Sequence, residues 1–101
     1  MEKISIVYTT VSSRDTADEL AADAVIKGLA SCANIFEHVT SVYQWQGVLE
    51  KSQEVAIVFK VLWGKKDSLV AWLQKSHPYE TPAILWADAN TTEDFFNYMS
   101  Q

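Results

Sequence analysis

Residues 32–63, CANIFEHVTSVYQWQGVLEKSQEVAIVFKVLW, form the stretch of sequence that decides the fold. Apolar and polar residues alternate with a period of two on both sides of Gly47, a pattern typical of half-buried β-strands. The alternation places Tyr43 and Trp45 on one face of residues 32–46. It places a second set on one face of residues 48–63: Val55, Ile57, Phe59, Val61 and Trp63. The stretch therefore predicts a hairpin that turns at Gln46-Gly47.

Both arms of this predicted hairpin are unusually long, since a typical strand has about 5 to 6 residues. Arms of this length would project beyond a small domain and leave their aromatic tips, Tyr43 and Trp45, without cover. A second copy of the chain could supply that cover.

The segment ahead of the hairpin predicts a strand and then a helix. Residues 4–11, ISIVYTTV, are β-branched and aromatic, and the helix-starting pair Ser12-Ser13 follows them. From residue 16 onward, apolar residues recur at helical spacing: Ala17, Leu20, Ala21, Ala24, Val25 and Leu29. Gly28 is a plausible stop signal for this helix.

The segment after the hairpin predicts helix, strand and helix. Residues 65–76 place Leu69, Trp72 and Leu73 on one helical face, and Pro78 restricts His77, so the helix must stop near Ser76. PAILWADA, residues 82–89, predicts a short strand. Thr91 and Asp94 have the spacing of a capping box, ahead of a short helix that carries Phe95, Tyr98 and Met99.

The predicted order is β-α-β-β-α-β-α within one domain, residues 1–101. Right-handed crossovers in the two β-α-β units give an α+β, ferredoxin-like sandwich with helices on one face of an antiparallel sheet. The long β2-β3 hairpin and the C-terminal helix are additions to that fold. Because proteins with many different functions share this fold, the fold alone does not identify the function of this chain.

Composition narrows the classes of partner. With a net charge of -5 and a single arginine, Arg14, the chain has no basic stripe for phosphates, so we expect no nucleic-acid partner. No apolar stretch reaches the ~18 to 20 residues that span a bilayer, so we expect no membrane partner. One cysteine, Cys32, excludes an internal disulfide framework, and the N-terminus lacks a signal-peptide core. We therefore expect a cytoplasmic protein.

The sequence favours binding over catalysis. It contains no P-loop, no GxGxxG and no HExxH motif, and its three isolated glycines do not form a phosphate-binding loop. We predict that the protein is not an enzyme and that it has no catalytic residues.

Residues 76–86, SHPYETPAILW, contain the candidate binding residues. His77 is the best candidate metal ligand, because imidazole suits copper and zinc and the following proline limits backbone movement. Glu80 could contribute an oxygen ligand. The alternatives are that His77 caps or packs at the end of the helix and that Glu80 is simply solvated. One histidine does not complete a site, so ligands from other subunits would be needed.

Four segments together resemble the CutA family of divalent-cation tolerance proteins: ASCANIF (30–36), SVYQWQG (41–47), LEKSQEVAIVFK (49–60) and HPYETP (77–82). The resemblance covers nearly the whole chain. It implies a cytoplasmic homotrimer of ferredoxin-like subunits, whose long hairpins pack against neighbouring subunits. It also implies a link to copper tolerance and to divalent-metal binding, with Cu²⁺ the first expectation.

The resemblance also implies a cleft between subunits. Trp45, Lys60, Tyr79 and Glu80 match positions in the family's recurrent segments and are candidates to line it. Lys60 would either bind an anion or form a structural ion pair. For Trp45, trimer packing is favoured over ligand stacking, because aromatic residues are enriched at interfaces.

Two positions depart from the family pattern. Some members carry a cysteine at the end of the first strand and a second histidine before HPY, whereas Thr9 and Ser76 stand here. Copper binding by those two positions is therefore in doubt for this chain. Cys32 is interpreted as a buried, inert thiol, with a soft copper ligand as the alternative, and His38 is assigned no role.

Three hypotheses remain open. The first is a trimeric protein of divalent-metal tolerance that does not catalyse a reaction. The second is a sensor of small anionic metabolites, since the trimer architecture is similar to that of PII signalling proteins. The third is a trimeric scaffold that holds other proteins. Metal binding should depend on His77 and anion binding on Lys60, while a scaffold needs neither.

Overall fold

A computed structural model describes residues 2–101 of the chain. The elements follow one another as β1 (Glu2–Val11), α1 (Arg14–Ile26), β2 (Cys32–Trp45), β3 (Val48–Leu62), one turn of 3₁₀ helix (Trp63–Lys65), α2 (Lys66–Ser76), β4 (Ile84–Thr91) and α3 (Glu93–Met99). The order predicted from the sequence is confirmed.

The four strands form one sheet in the order β2-β3-β1-β4, and each neighbouring pair is antiparallel. With α1 linking β1 to β2 and α2 linking β3 to β4, this is the predicted split β-α-β, ferredoxin-like arrangement. The two central strands, β1 and β3, are flanked on both sides, while β2 and β4 are the sheet edges.

The hydrophobic core lies between the sheet and helices α1 and α2. Strands β1 and β3 contribute alternate side chains that are fully or almost fully buried: Val7, Val11, Val55, Ile57, Phe59 and Val61. The helices contribute the facing set: Ala17, Leu20, Ala21, Ala24, Leu69 and Leu73. The small alanines of α1 allow the helix to approach the sheet closely. These residues share the periodicities of two and 3.6 that were visible in the sequence.

Both ends of α1 use side-chain and backbone caps. The Ser13 hydroxyl accepts a hydrogen bond from the Thr16 N–H at 3.2 Å, as an N-cap does. At the other end, the N–H groups of Gly28 and Leu29 donate to the carbonyls of Val25 and Ala24, which is a Schellman motif. Gly28 has φ of 73°, so a residue without a side chain suits this position.

The β2-β3 hairpin turns at Gln46-Gly47, as predicted. These residues have φ values of 50° and 80°, the positive angles that a type I′ turn requires. Trp45 pairs with Val48 directly beside the turn. The hairpin gives the molecule an elongated shape, 46 × 24 × 23 Å. The outer half of the hairpin, called the arm below, extends beyond the core that the sheet forms with α1 and α2.

A β-bulge interrupts β2, which the sequence did not predict. Phe36 pairs with Ala56 and Val39 with Glu54, so two residues of β2 lie opposite one residue of β3. His38, within the bulge, has φ of 63°. The extra residue shifts the alternation, and odd-numbered residues of the arm therefore share the sheet face on which Phe36 lies.

Four local predictions were wrong. The N-cap of α3 is Thr92, whose hydroxyl accepts from the Phe95 N–H at 3.2 Å; Thr91 remains paired with β1 as the last residue of β4. Trp63 leaves the strand pattern because it begins the 3₁₀ turn, and it is exposed. Val25 is exposed because it lies at the margin of the buried stripe of α1. β4 itself begins at Ile84, two residues later than predicted.

Among residues 2–101, no helix combines the length and the apolar character that a membrane crossing requires.

Candidate functional site

His77 lies at the end of α2, where its backbone N–H donates to the Leu73 carbonyl at 2.9 Å and ends the helix. The residue is only 6% exposed. Its Nδ1 accepts the Tyr79 backbone N–H at 3.1 Å, so the ring proton resides on Nε2, which donates to the Thr10 carbonyl at 2.9 Å. Both ring nitrogens are therefore engaged within the chain.

This geometry bears on the metal-ligand hypothesis for His77. A metal ion binds a ring nitrogen through its free lone pair. The Nδ1 lone pair is held by the Tyr79 N–H, and Nε2 carries the proton. Coordination would thus require the loss of at least one buried hydrogen bond, and the position of His77 fits the alternative of capping and packing at the helix end.

Tyr79 links the same loop to the strands. Its phenol donates to a Glu54 carboxylate oxygen at 2.8 Å, and the Ser41 hydroxyl donates to the other oxygen of that carboxylate. Burial and the hydrogen bond to Glu54 raise the pKa of Tyr79 to about 12. The rings of His77 and Tyr79 also lie with their centroids 4.7 Å apart. Together these contacts hold the loop against β1, β2 and β3.

Glu80 projects into solvent beside this network. It lines a shallow cavity of about 350 Å³ together with Pro82, Ile84 and Trp86. Across residues 2–101, no three side chains of His, Cys, Asp or Glu lie close enough together to hold a metal ion. His77 and Glu80 are thus neighbours in sequence but do not form a complete set of ligands in one chain.

Lys60 lies near the other end of β3. Its ammonium is 5.6 Å from the centroid of the Phe95 ring in α3, a cation–π contact. Cys32, which was expected to be buried, is only half-buried, and it pairs with Lys60 across β2 and β3. Within the described part of the chain, Lys60 takes part in no ion pair.

The candidates for an intersubunit cleft are dispersed within one chain. Glu54, the partner of Tyr79, is six residues from Lys60 along β3, or roughly 20 Å at the rise of a strand. Trp45 pairs with Val48 near the tip of the arm. Val48 is also six residues from Glu54 along β3, in the direction opposite to Lys60. Any cleft that they share must therefore combine residues from different copies.

The structure shows the surroundings of Thr9 and Ser76, the two positions that depart from the family pattern. Thr9 is fully buried, and its hydroxyl donates to the Ala83 carbonyl at 2.7 Å. Ser76 is exposed at the last position of α2. Thr9 therefore stabilises the start of β4 from the end of β1.

Sequence reasoning missed two residues of this site, Glu54 and Thr10. Thr10 acts through its backbone carbonyl, which no residue pattern reveals. Glu54 could have been noticed as a carboxylate directly before the apolar run VAIVF. Nothing in the local sequence, however, pairs it with a tyrosine 25 residues away.

The sheet face opposite α1 and α2, the open face, is rich in exposed apolar side chains. By strand alternation it carries Phe36 of β2 and Leu85 of β4, which are more than half exposed. The bulge in β2 brings Tyr43 and Trp45 of the arm onto the same face, and Trp45 is 64% exposed. Apolar surface of this extent is typical of an interaction site.

Comparison with known proteins gives consistent results for sequence and structure. A family-wide sequence profile described as "CutA1 divalent ion tolerance protein" matches residues 5–101. The divalent-cation tolerance protein CutA of Salmonella newport (strain SL254) is 36% identical over 80 residues, which cover 79% of this chain and 70% of the relative.

Solved structures extend the similarity to the whole fold. The divalent ion tolerance protein CutA1 of Ehrlichia chaffeensis is 33% identical, with a TM-score of 0.94 over 99% of this chain and 94% of its own. CutA of Synechococcus elongatus PCC7942 is 32% identical, with a TM-score of 0.92 over 97% of this chain and 88% of its own.

Proposed function

The chain belongs to the CutA1 divalent ion tolerance family, and from this premise we propose that it is a homotrimer that takes part in the response to metal ions. It binds copper or another divalent metal and does not catalyse a reaction. The observation that carries the proposal is the projecting arm with its exposed Trp45.

The arm supports self-association. A two-stranded hairpin is marginally stable by itself, so an arm that extends beyond the core needs a surface to pack against. Large apolar side chains are exposed on both of its faces: Val42, Tyr43, Trp45, Val48 and Leu49. The open face of another copy presents exposed Phe36 and Leu85, which are suitable partners for such residues. The family relationship favours three copies.

The donor atoms support metal binding between subunits. A complete site does not fit inside one chain, because His77 is fully hydrogen-bonded and the described residues contain no cluster of three ligands. Glu80 is exposed and offers carboxylate oxygens. A net charge of -5 also favours association with cations. The proposed site therefore uses Glu80 with ligands from a second copy, and His77 joins it only after giving up an internal hydrogen bond.

One observation favours the alternative of a sensor for small anions. Lys60 presents an ammonium that has an aromatic neighbour but no ion-pair partner in the described chain. An anionic metabolite held between subunits would satisfy that charge. Cu²⁺ binding should not change in a Lys60→Met variant, whereas anion binding should be lost, so this variant separates the two functions.

The decisive experiment measures mass and metal binding on the same samples. Light scattering of the wild type should give three times the 11.4 kDa chain mass. On dilution, a Trp45→Ser variant should dissociate at a higher protein concentration than the wild type, because its interface is weaker. Calorimetric titration of Cu²⁺ into metal-free protein should show binding that Glu80→Gln weakens and that falls as Trp45→Ser dissociates. A monomeric wild type, or Cu²⁺ binding that is unchanged in dissociated protein, would contradict the proposal of a shared site.

A further inference from the structure

A second cavity lies at the opposite end of the sheet from His77. It measures about 860 Å³ and occupies the region where β1 begins and β3 ends. Lys3, at this end of β1, is seven residues from Thr10, the partner of His77, or roughly 23 Å along the strand. This end cavity, lined by Lys3, Leu62, Trp63, Gly64, Asp88 and Phe96 among others, is separate from the loop described above.

The walls of the end cavity are mainly apolar and aromatic. Leu62 and Trp63 come from the end of β3 and the 3₁₀ turn, and Phe96 comes from α3. Trp63 is 59% exposed although it lies beside the folded core. Small-molecule sites typically occupy about 300–1,000 Å³ and combine such walls with a few polar groups. Two aromatic side chains in one cavity wall suit a planar aromatic ligand.

Two opposite charges lie on the same side of the sheet at this cavity. In the β1–β4 pairing Lys3 lies opposite Asn90 and Ser5 lies opposite Asp88. Lys3 and Asp88 are therefore diagonal neighbours, whose Cα atoms are about 7–8 Å apart. They form no ion pair with each other. Asp88 accepts a hydrogen bond from the Ser5 hydroxyl at 3.1 Å and retains its second oxygen.

Two further charged residues line the cavity. Glu2 is exposed and lies on the other face of the sheet from Lys3 by strand alternation. Lys65 has an ammonium that donates to the Gly28 carbonyl at 3.0 Å. Of the two lysines that line the cavity, Lys3 is therefore the one whose ammonium has no hydrogen-bond or ion-pair partner in residues 2–101. The Lys3 ammonium and the Asp88 carboxylate lie beside the aromatic walls and are not paired with each other. They complement a ligand with a planar aromatic ring that carries a carboxylate and an ammonium at one end.

We infer that the end cavity binds an aromatic zwitterion of the amino-acid type, with its ring between Trp63 and Phe96, its carboxylate at Lys3 and its ammonium at Asp88. This role is additional to metal binding and to self-association. It uses none of the residues assigned to them.

The first test is calorimetric titration of L-tryptophan into metal-free wild-type protein. The cavity is open to solvent, so binding should be weak, with a Kd on the order of 1 mM. Lys3→Met and Asp88→Asn should each weaken it by about two- to fivefold, which is typical for loss of a solvent-accessible charge contact. Lys75→Met, which removes an exposed lysine in the last turn of α2, should leave the Kd unchanged.

A cavity-filling variant provides an independent test. A Cβ added at Gly64 meets no atom within 4 Å, so Gly64→Phe should fill the space without disturbing the fold. It should abolish L-tryptophan binding, while Gly64→Ala should retain it. Circular dichroism and light scattering would verify that both variants keep the fold and mass of the wild type.

Two analogues test whether both charges are recognised. Tryptamine lacks the carboxylate and indole-3-propionate lacks the ammonium, so each should bind about two- to fivefold more weakly than L-tryptophan. Equal binding of all three would overturn the zwitterion assignment. No binding of L-tryptophan at its solubility limit, or unchanged binding in Gly64→Phe, would overturn the site. Because no metal is present, either failure leaves the metal-tolerance proposal intact.

Discussion

The phenol of Tyr79 donates a 2.8 Å hydrogen bond to the carboxylate of Glu54, and this bond joins the loop after α2 to the third strand. The same carboxylate accepts from Ser41 of β2. One acidic side chain therefore connects the loop and both strands at the base of the arm. Four predictions concern this network and the hairpin.

Tyr79→Phe should lower the free energy of unfolding by about 1 kcal/mol, because a hydrogen bond to a charged and partly buried acceptor is lost. Urea denaturation at fixed protein concentration would measure the change. Tyr98→Phe is the matched control, since Tyr98 is exposed and its ring stacks on Phe95 through a face that phenylalanine retains. Equal effects in both variants would mean that the Glu54 contact adds no stability.

Tyr79 should also make stability depend on alkaline pH. Its pKa is raised from 10.0 to about 12, by burial first and then by Glu54. A phenol with a higher pKa in the folded state contributes stability that is fully present below pH 10 and is lost as the pH rises from 10 toward 12. The stability difference between wild type and Tyr79→Phe should therefore shrink across that range. A difference that stays constant would refute the assignment.

His77→Ala should destabilise the protein by about 3 kcal/mol, because it leaves the buried Thr10 carbonyl and Tyr79 N–H without partners. Thermal and urea unfolding would measure the loss. His38→Asn is the matched control: His38 is exposed, and asparagine tolerates its positive φ. A His77→Ala variant as stable as the wild type would instead favour His77 as a residue kept free for metal.

Gly47→Ala should destabilise the arm by about 1 kcal/mol, since φ of 80° is unfavourable for a residue with a Cβ. Hydrogen exchange of the Trp45 and Val48 amides should become faster. Gly64→Ala serves as the control, because its φ is ordinary and its surroundings are open. Unchanged exchange in Gly47→Ala would indicate that the type I′ turn does not limit opening of the arm.

Much of the fold could be predicted because its signals are local. Ser13 and Gly28 marked the ends of α1, and Gln46-Gly47 marked the hairpin turn, since each requires a backbone angle or a hydrogen bond that few residues provide. The N-cap of α3 was misplaced by one residue. Thr91 and Thr92 are chemically identical, and pairing with β1 decided between them.

The candidate site was predicted less completely. HPYETP identified the loop, but the role of His77 depends on the Thr10 carbonyl, and the role of Tyr79 depends on Glu54. Lys60 and Trp45 resemble family positions, yet each is roughly 20 Å from Glu54 along the hairpin. Residue identity cannot give these separations, because they follow from strand register.

The sequence by itself determined the order of elements, the turn of the hairpin and the family, because periodicity, caps and turn residues act over a few neighbouring positions. Only the tertiary structure decided that both nitrogens of His77 are occupied and that Lys3 and Asp88 share one cavity. It also decided that the bulge at His38 turns Trp45 to the open face. The physical reason is that hydrogen bonds and shared faces between distant segments depend on sheet register, which is fixed when the whole core packs.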